Sequence, residues 1–115
     1  MKKPFFFAVA LFQFANAVQA HTHLEKTMPA DNSVLKAAPK EIMLHFSATT
    51  RLTALSIQKE GDKERPLKPL PTAVAKAIAV PVPALAPGKY VVDWRVVGDD
   101  GHVVSGKFHF TVDAQ

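Results

Sequence analysis

Apolar and polar residues alternate with a period of two along much of this chain, and this feature constrains its fold most. The alternation is clearest in three runs, EIMLHFS from Glu41, YVVDWRVV from Tyr90 and HVVSGKFHFTV from His102. Successive side chains of a β-strand point to opposite faces, so each run places its apolar residues on one face. Such runs are typical of half-buried antiparallel strands.

Two further runs, LTALSIQK and KAIAVPVPAL, are weaker strand candidates. Pro81 and Pro83 in the second run favour a sheet edge, because proline cannot donate a ladder hydrogen bond. The only helix candidate is a short one over residues 32–37, NSVLKA, which Pro39 would end.

Turn signals separate these strands at EGDKE, APG and GDDG. Several short strands at this spacing, with one central tryptophan, predict an all-β fold: a small Greek-key β-sandwich with an immunoglobulin-like core. Trp94 is expected in that core.

The first twenty residues, MKKPFFFAVALFQFANAVQA, have the order of a secretory signal: two lysines, an apolar run and small residues. Val18 and Ala20 match the minus-three and minus-one positions of a signal-peptidase site, which predicts cleavage after Ala20. A transmembrane anchor is the alternative, but the apolar run of roughly ten residues is shorter than the length of about twenty that spans a bilayer. We predict a signal over residues 1–20 and one exported domain over residues 21–115.

Composition narrows the expected partners of the exported domain. Lys2 and Lys3 leave with the signal, which lowers the formal net charge of +4 by two, and the remaining basic residues are scattered. Nucleic acid is therefore not an expected partner, and no stable membrane insertion is expected after cleavage. The chain has no cysteine, so the domain relies on its hydrophobic core and contains no thiolate metal site.

Cleavage after Ala20 would give His21 a free α-amine beside its imidazole. These two nitrogens can chelate one metal ion, because the pKa of an α-amine lies well below that of lysine and its proton is lost readily to a metal. The alternative is that His21 is simply a solvated chain end.

Asp100 and His102 form a second candidate feature, the D-x-H of DDGHVV. At the start of an extended strand, residues two apart point to the same side and lie roughly 6.5 to 7 Å apart, so both could reach one ion. The alternative is an ordinary Asp-Gly turn followed by an incidental histidine. Together with His21, the set comprises an amine, two imidazoles and a carboxylate, which suits tetragonal Cu(II) and is also acceptable to tetrahedral Zn(II).

Other histidines and methionines carry weaker hypotheses. His23 could complete a square-planar chelate with the α-amine and two deprotonated backbone amides, which we rank second, or it could be a spare ligand. Met43 and His45 share an outward strand face and are weak Cu(I) candidates, but outward strand residues are the simpler interpretation. Met28 has no evident partner, and His109 is expected alone on a solvent face.

The signal, the segment HTHLEKTMPADNSVLKAAPKEIMLHFS and the segment LAPGKYVVDWRVVGDDGHVVSGKFHFTV together resemble the CopC-like periplasmic copper-binding proteins. The resemblance implies a seven-stranded Greek-key barrel or sandwich and one Cu(II) ion bound by His21, Asp100 and His102. It also implies a periplasmic location and an inner-membrane copper permease as a partner. Some members bind Cu(I) in a methionine-rich loop, and this chain retains only Met43 and His45 in that neighbourhood.

No nucleophile with an adjacent base, phosphate loop or carboxylate dyad is evident in the sequence. We therefore predict a non-enzymatic copper carrier or buffer that serves copper homeostasis and resistance. Two alternatives remain: a copper-dependent oxidase or oxygenase with an N-terminal histidine chelate, and an interaction module with incidental metal binding.

Overall fold

A computed structural model describes residues 22–113 of the chain. The predicted signal peptide, the cleavage point after Ala20 and His21 lie outside these residues. The described strands are β1 (Leu24–Met28), β2 (Ser33–Leu35), β3 (Glu41–Lys59), β4 (Arg65–Pro66), β5 (Ala75–Pro81), β6 (Gly88–Gly98) and β7 (Val103–Val112). The same part of the chain contains no helix long and apolar enough to cross a membrane.

The seven strands hydrogen-bond in the order β1-β3-β6-β7-β2, with β4 and β5 also paired to β3. The first half of β3 lies between β1 and β5, and its second half pairs with β6 and β4. One long strand thus belongs to both layers of a curled sheet. The predicted all-β sandwich or barrel of about seven strands is confirmed.

Strand β3 is a single element of 19 residues, although the sequence suggested two separate strands within it. The linking residues, SATTR, contain no glycine, proline or asparagine that would reverse the chain, and threonine favours extended backbone. The pairing register shifts between His45 and Thr50 and again between Leu52 and Ala54. The strand therefore bends from one layer to the other without a turn.

The interior is built from the apolar faces that the alternation predicted. Along β3 and β6 the buried residues occupy every second position over long stretches. Trp94 is 6% exposed, as expected of a core residue, and its ring meets that of Phe46 edge-on at 5.3 Å between centroids. The largest fully buried side chains are Phe46, Phe108, Phe110, Ile42, Leu44, Ile57, Val80, Val92, Val96 and Val112.

The short helix considered over residues 32–37 is wrong: Ser33–Leu35 is the strand β2, parallel to β7. Asn32 adopts a left-handed φ of 65° immediately before it, and its N–H donates to the carbonyl of His109 at 2.6 Å. At the other end, the N–H of Asp113 donates to the carbonyl of Leu35 at 2.7 Å. Pairing with β7 satisfies backbone groups that a single isolated helical turn would leave open.

Candidate metal centre

The turn between β6 and β7 carries the D-x-H residues. Its backbone is closed by the N–H of Gly98 donating to the carbonyl of His102 at 2.9 Å and the N–H of Gly101 donating to the carbonyl of Gly98 at 3.0 Å. Gly101 has a φ of +84°, a left-handed conformation that favours glycine over residues with a side chain. The Asp-Gly pair thus forms the turn it signals, while the flanking polar residues project from its rim.

Asp100 and His102 touch each other directly in this turn. His102 Nδ1 lies 2.9 Å from Asp100 Oδ2, and the His102 backbone N–H donates to Asp100 Oδ1 at 3.0 Å. The expectation of two extended residues at the start of the last strand is therefore wrong in detail, because β7 begins only at Val103. Because the turn is curved, the two side chains approach to hydrogen-bonding distance and do not keep the separation expected of extended residues.

Asp100 is ionised, and both side chains of the pair are accessible to solvent. Hydrogen bonds from the backbone N–H and then from the side chain of His102 lower the pKa of Asp100 below its ordinary value. A carboxylate can only accept, so the ring Nδ1 carries the hydrogen and, in the neutral ring, Nε2 presents its lone pair. The His102 side chain is 71% exposed and the Asp100 side chain is 38% exposed. The turn thus offers one imidazole nitrogen and one carboxylate to an ion from solvent.

Because His102 lowers the pKa of Asp100, we expect the variant His102→Ala to change that pKa and the stability linked to it. This variant removes the side-chain hydrogen bond and keeps the backbone one, so the pKa of Asp100 should rise yet stay below an ordinary aspartate value. Because the pKa of Asp100 is lower in the folded than in the unfolded state, its ionisation stabilises the fold at pH values above the unfolded-state pKa. That stabilisation is lost as the pH falls through the folded-state pKa. In His102→Ala the linked stabilisation is smaller and its loss is complete at a higher pH.

Carbon-13 NMR of the carboxyl groups in metal-free protein measures this titration. His109→Ala is the matched control, because His109 contacts Asp31 and not Asp100. An Asp100 titration that is identical in His102→Ala and the unmodified protein would contradict the side-chain bond.

The start of the described chain lies against this same turn. A methyl group built on Gly98 would lie 2.7 Å from Thr22 Oγ1 and 3.0 Å from Asp100 Oδ1, so both side chains sit over Gly98. Thr22 is 4% exposed, which shows that the segment leading into β1 is packed rather than frayed. The fold therefore brings residue 22, the immediate neighbour of His21, beside Asp100.

His23 is held by its backbone. Its N–H donates to Ser47 Oγ at 3.0 Å, and its carbonyl accepts from the N–H of Ser47 at 2.9 Å. The residue itself is exposed. An amide chelate through His23 would have to deprotonate the same N–H that is engaged with Ser47.

Among residues 22–113, no three His, Asp or Glu side chains lie close enough together to hold a metal ion. Asp100 and His102 are thus a two-donor pair in the described range. Met43 and His45 lie elsewhere, half-buried on the outer face of β3. His109 is exposed on β7, as expected, with its Nδ1 3.6 Å from Asp31 Oδ1, a contact that the sequence did not indicate.

Met28 has a cross-strand neighbour that the sequence did not indicate. Met28, for which the sequence suggested no partner, lies directly opposite Met43 in the β1–β3 ladder. The segment LEKTM shows too little alternation for a strand, or its register, to be predicted from the sequence.

Comparison with known proteins identifies relatives over nearly the whole described range. The model of the CopC domain matches residues 24–113. Protein YobA of Escherichia coli (strain K12) is 38% identical over 101 residues, which cover 84% of this chain and 82% of that protein. Copper resistance protein C of Escherichia coli is 32% identical over 109 residues, which cover 85% of this chain and 86% of that protein.

Solved structures agree with the sequence relatives. CopC from Methylosinus trichosporium OB3b has a TM-score of 0.72 and 31% identity, with 83% of this chain and 96% of that chain covered. PcoC from Escherichia coli, a methionine rich copper resistance protein, has a TM-score of 0.62 and 34% identity, with coverage of 82% and 100%. The domain match and these relatives together show that the chain belongs to the CopC domain family.

Proposed function

We propose that this chain is a periplasmic Cu(II)-binding protein that carries or buffers copper in copper homeostasis and resistance, without catalysing a reaction. One ion is bound by the α-amine and imidazole of His21 after signal cleavage, together with Asp100 and His102. Three of its relatives are named copper resistance protein C, which supports copper as the cargo.

The observation that carries the proposal is the packing of Thr22 beside Asp100 over Gly98. Consecutive Cα atoms are about 3.8 Å apart, so a residue preceding Thr22 starts within a few ångströms of the turn. Thr22 itself is buried at this position. This supports a site shared between the mature N-terminus and the β6–β7 turn, two segments far apart in sequence.

The donor set favours Cu(II) over other available ions. Amine and imidazole nitrogens with one carboxylate suit a tetragonal ion, and Cu(II) has the highest affinity for such ligands among divalent first-row metals. The lowered pKa of Asp100 keeps its carboxylate charged and ready for a cation. Binding of both side chains to one ion would break the Nδ1–Oδ2 hydrogen bond of the metal-free pair. Oδ1 can retain its backbone hydrogen bond, because a carboxylate has several lone-pair positions.

Four donors would fill the tetragonal plane, which is why we propose binding rather than oxygen chemistry. Activation of oxygen at a copper ion needs an open coordination position, and Asp100 would occupy that position. Release of copper is favoured by acid, because protons compete for the amine and the imidazoles. A delivery partner, such as an inner-membrane copper permease, would receive the ion.

The site would form only after export and cleavage, because an internal His21 has no α-amine. This ordering would keep the chain from binding copper tightly in the cytoplasm. The amide chelate through His23 is disfavoured by the hydrogen bond between the His23 N–H and Ser47, which that chelate would have to break.

Cu(II) titration with EPR on protein that begins at His21 tests the proposal. Asp100→Ala and His102→Ala should each weaken Cu(II) binding by at least about tenfold, since even ligand-supporting groups have effects of that size. His23→Gln is the matched control and should bind nearly as tightly as the unmodified protein.

Two outcomes would contradict the shared site. Tight binding that survives His102→Ala and is lost in His23→Gln would point to the amide chelate. Weak binding that is indifferent to Asp100→Ala would point to incidental metal binding.

A further inference from the structure

Gly98, the last residue of β6, is in close contact with the first residue that the structure describes. A Cβ built on Gly98 would lie 2.7 Å from Thr22 Oγ1 and 3.4 Å from Thr22 Cβ. The shorter distance is well below the separation of about 3.5 Å at which packed heavy atoms attract each other best. Thr22 therefore occupies the space that a side chain at position 98 would need.

The backbone conformation of Gly98 does not by itself require glycine. Gly61, Gly88 and Gly101 have positive φ angles, and Gly98 does not. It lies in regular strand, where glycine is unfavourable unless another part of the protein has to approach the backbone closely. At Gly98 the approaching group is Thr22, so the absence of a side chain is explained by this contact.

The backbone of Gly98 is fixed on two sides. Its N–H donates to the carbonyl of His102 at 2.9 Å, and its carbonyl accepts from the N–H of Gly101 at 3.0 Å. Across the ladder it pairs with Thr50, which is fully buried. A side chain added at position 98 would therefore displace Thr22 rather than the strand.

Thr22 is held in place by packing. It is 4% exposed, and its Oγ1 is buried with no hydrogen-bond partner among residues 22–113. Because a buried hydroxyl without a partner is unfavourable, the contact with Gly98 has to outweigh that cost. The next residue, His23, is anchored to Ser47 through its backbone. The segment that enters β1 is thus attached at two points, Gly98 and Ser47.

We propose that Gly98 and Thr22 are positioning residues for the Cu(II) centre. Their contact fixes the mature N-terminus beside Asp100, so that the amine and imidazole of His21 reach the ion. The inference rests on the proposed function for the identity of the ion and of this N-terminal ligand. The side chains of the two residues act through the placement of His21 and donate no atom to the metal.

Gly98→Ala and Thr22→Ala, alone and combined, test the contact. In protein that begins at His21, Gly98→Ala should weaken Cu(II) binding by at least about tenfold, the effect typical of groups that support a metal ligand. Thr22→Ala removes Oγ1 and leaves Cβ at 3.4 Å from the new methyl group, an ordinary contact. The double variant should therefore bind Cu(II) about as tightly as Thr22→Ala alone. EPR and competition with a chelator of known affinity measure these changes.

The double variant also separates the role of Thr22 from that of Asp100. The methyl group of Gly98→Ala would lie 3.0 Å from Asp100 Oδ1, and this contact remains when Thr22 is shortened. Recovery of Cu(II) binding would therefore assign the defect to the N-terminal segment. A double variant that binds no better than Gly98→Ala would assign it to Asp100 and overturn the inference. Thr53→Ala, at an exposed threonine of β3, is the matched control and should not restore binding to Gly98→Ala.

Amide hydrogen exchange of the metal-free protein tests the contact without copper. The His23 N–H donates to Ser47 Oγ, so its exchange rate reports whether the segment remains in place. Gly98→Ala should accelerate this exchange several-fold, and the addition of Thr22→Ala should slow it again. The N–H of Leu67, which is bonded elsewhere in the sheet, is the reference and should exchange at the same rate in every variant.

The two measurements distinguish failure of this inference from failure of the proposed function. Exchange at His23 that is unchanged in Gly98→Ala would show that position 98 does not hold the segment. Faster exchange with unchanged Cu(II) binding would overturn the positioning role, even where Asp100→Ala abolishes binding and the proposed function holds. Cu(II) binding that is indifferent to Asp100→Ala would contradict the proposed function, and the exchange rates would still decide whether Thr22 is held by Gly98.

Discussion

Placing a single alanine before His21 of the processed protein should weaken Cu(II) binding by at least about a hundredfold, since it removes a primary ligand and its chelate ring. The added residue converts the α-amine of His21 into a peptide amide, whose nitrogen does not bind metal unless it loses its proton. The other three ligands remain, namely the His21 imidazole, Asp100 and His102. The decrease in Cu(II) affinity therefore measures the contribution of the amine and its chelate ring. EPR of the Cu(II) complex and competition with a chelator of known affinity report the change.

The design of this variant matters. Two added residues would place His21 third in the chain and complete a four-nitrogen amide chelate, whereas one added residue leaves at most three such nitrogens from the α-amine, one amide and the His21 imidazole. The matched control carries the same alanine after Gln115, where it should have no effect. An EPR spectrum and an affinity that both survive the N-terminal alanine would contradict the amine chelate.

Gly106→Val should lower the free energy of unfolding by about 3 kcal/mol, the upper end of the usual cost of overpacking. Gly106 faces Trp94 across the β6–β7 ladder. A Cβ at position 106 would lie 2.6 Å from Cζ2 and 3.0 Å from Cε2 of the indole, closer than packed atoms normally approach. Trp94 cannot retreat easily, because it is buried and its ring is packed against Phe46.

Urea unfolding followed by circular dichroism measures this loss. Ser105→Val, on the neighbouring and exposed position of β7, is the matched control and should change stability little. Trp94→Phe removes the atoms that collide with the new side chain, so Gly106→Val should cost less in that background. An equal cost in both backgrounds would assign the effect to the strand backbone rather than to the indole.

The strand faces of this protein were predictable because alternation is a local property. Ile42, Leu44 and Phe46 are buried as the period of two requires, and Trp94 lies in the core. The turns were also predictable, since their residues include glycines that adopt left-handed backbone at Gly61 and Gly101. The assignment to the CopC domain family, first suggested by motifs near both ends of residues 21–115, is confirmed.

The candidate centre was predictable only in part. The D-x-H spacing identified Asp100 and His102, but an extended geometry was wrong, because the local turn closes them to 2.9 Å. The role of His21 stays a prediction, since it lies outside the described residues. The proximity of Thr22 to Asp100 joins segments more than seventy positions apart, which no local pattern encodes.

The sequence by itself determined which residues face the core, where the chain turns and which family it belongs to, because these depend on neighbouring residues and on motifs. Only the tertiary structure decided which strands lie side by side. Three features depend on strand register: the pairing of Ser33–Leu35 with β7, the continuity of β3, and the position of Met28 opposite Met43. Register is set by packing among strands distant in sequence, so it emerges only when the whole sheet has formed.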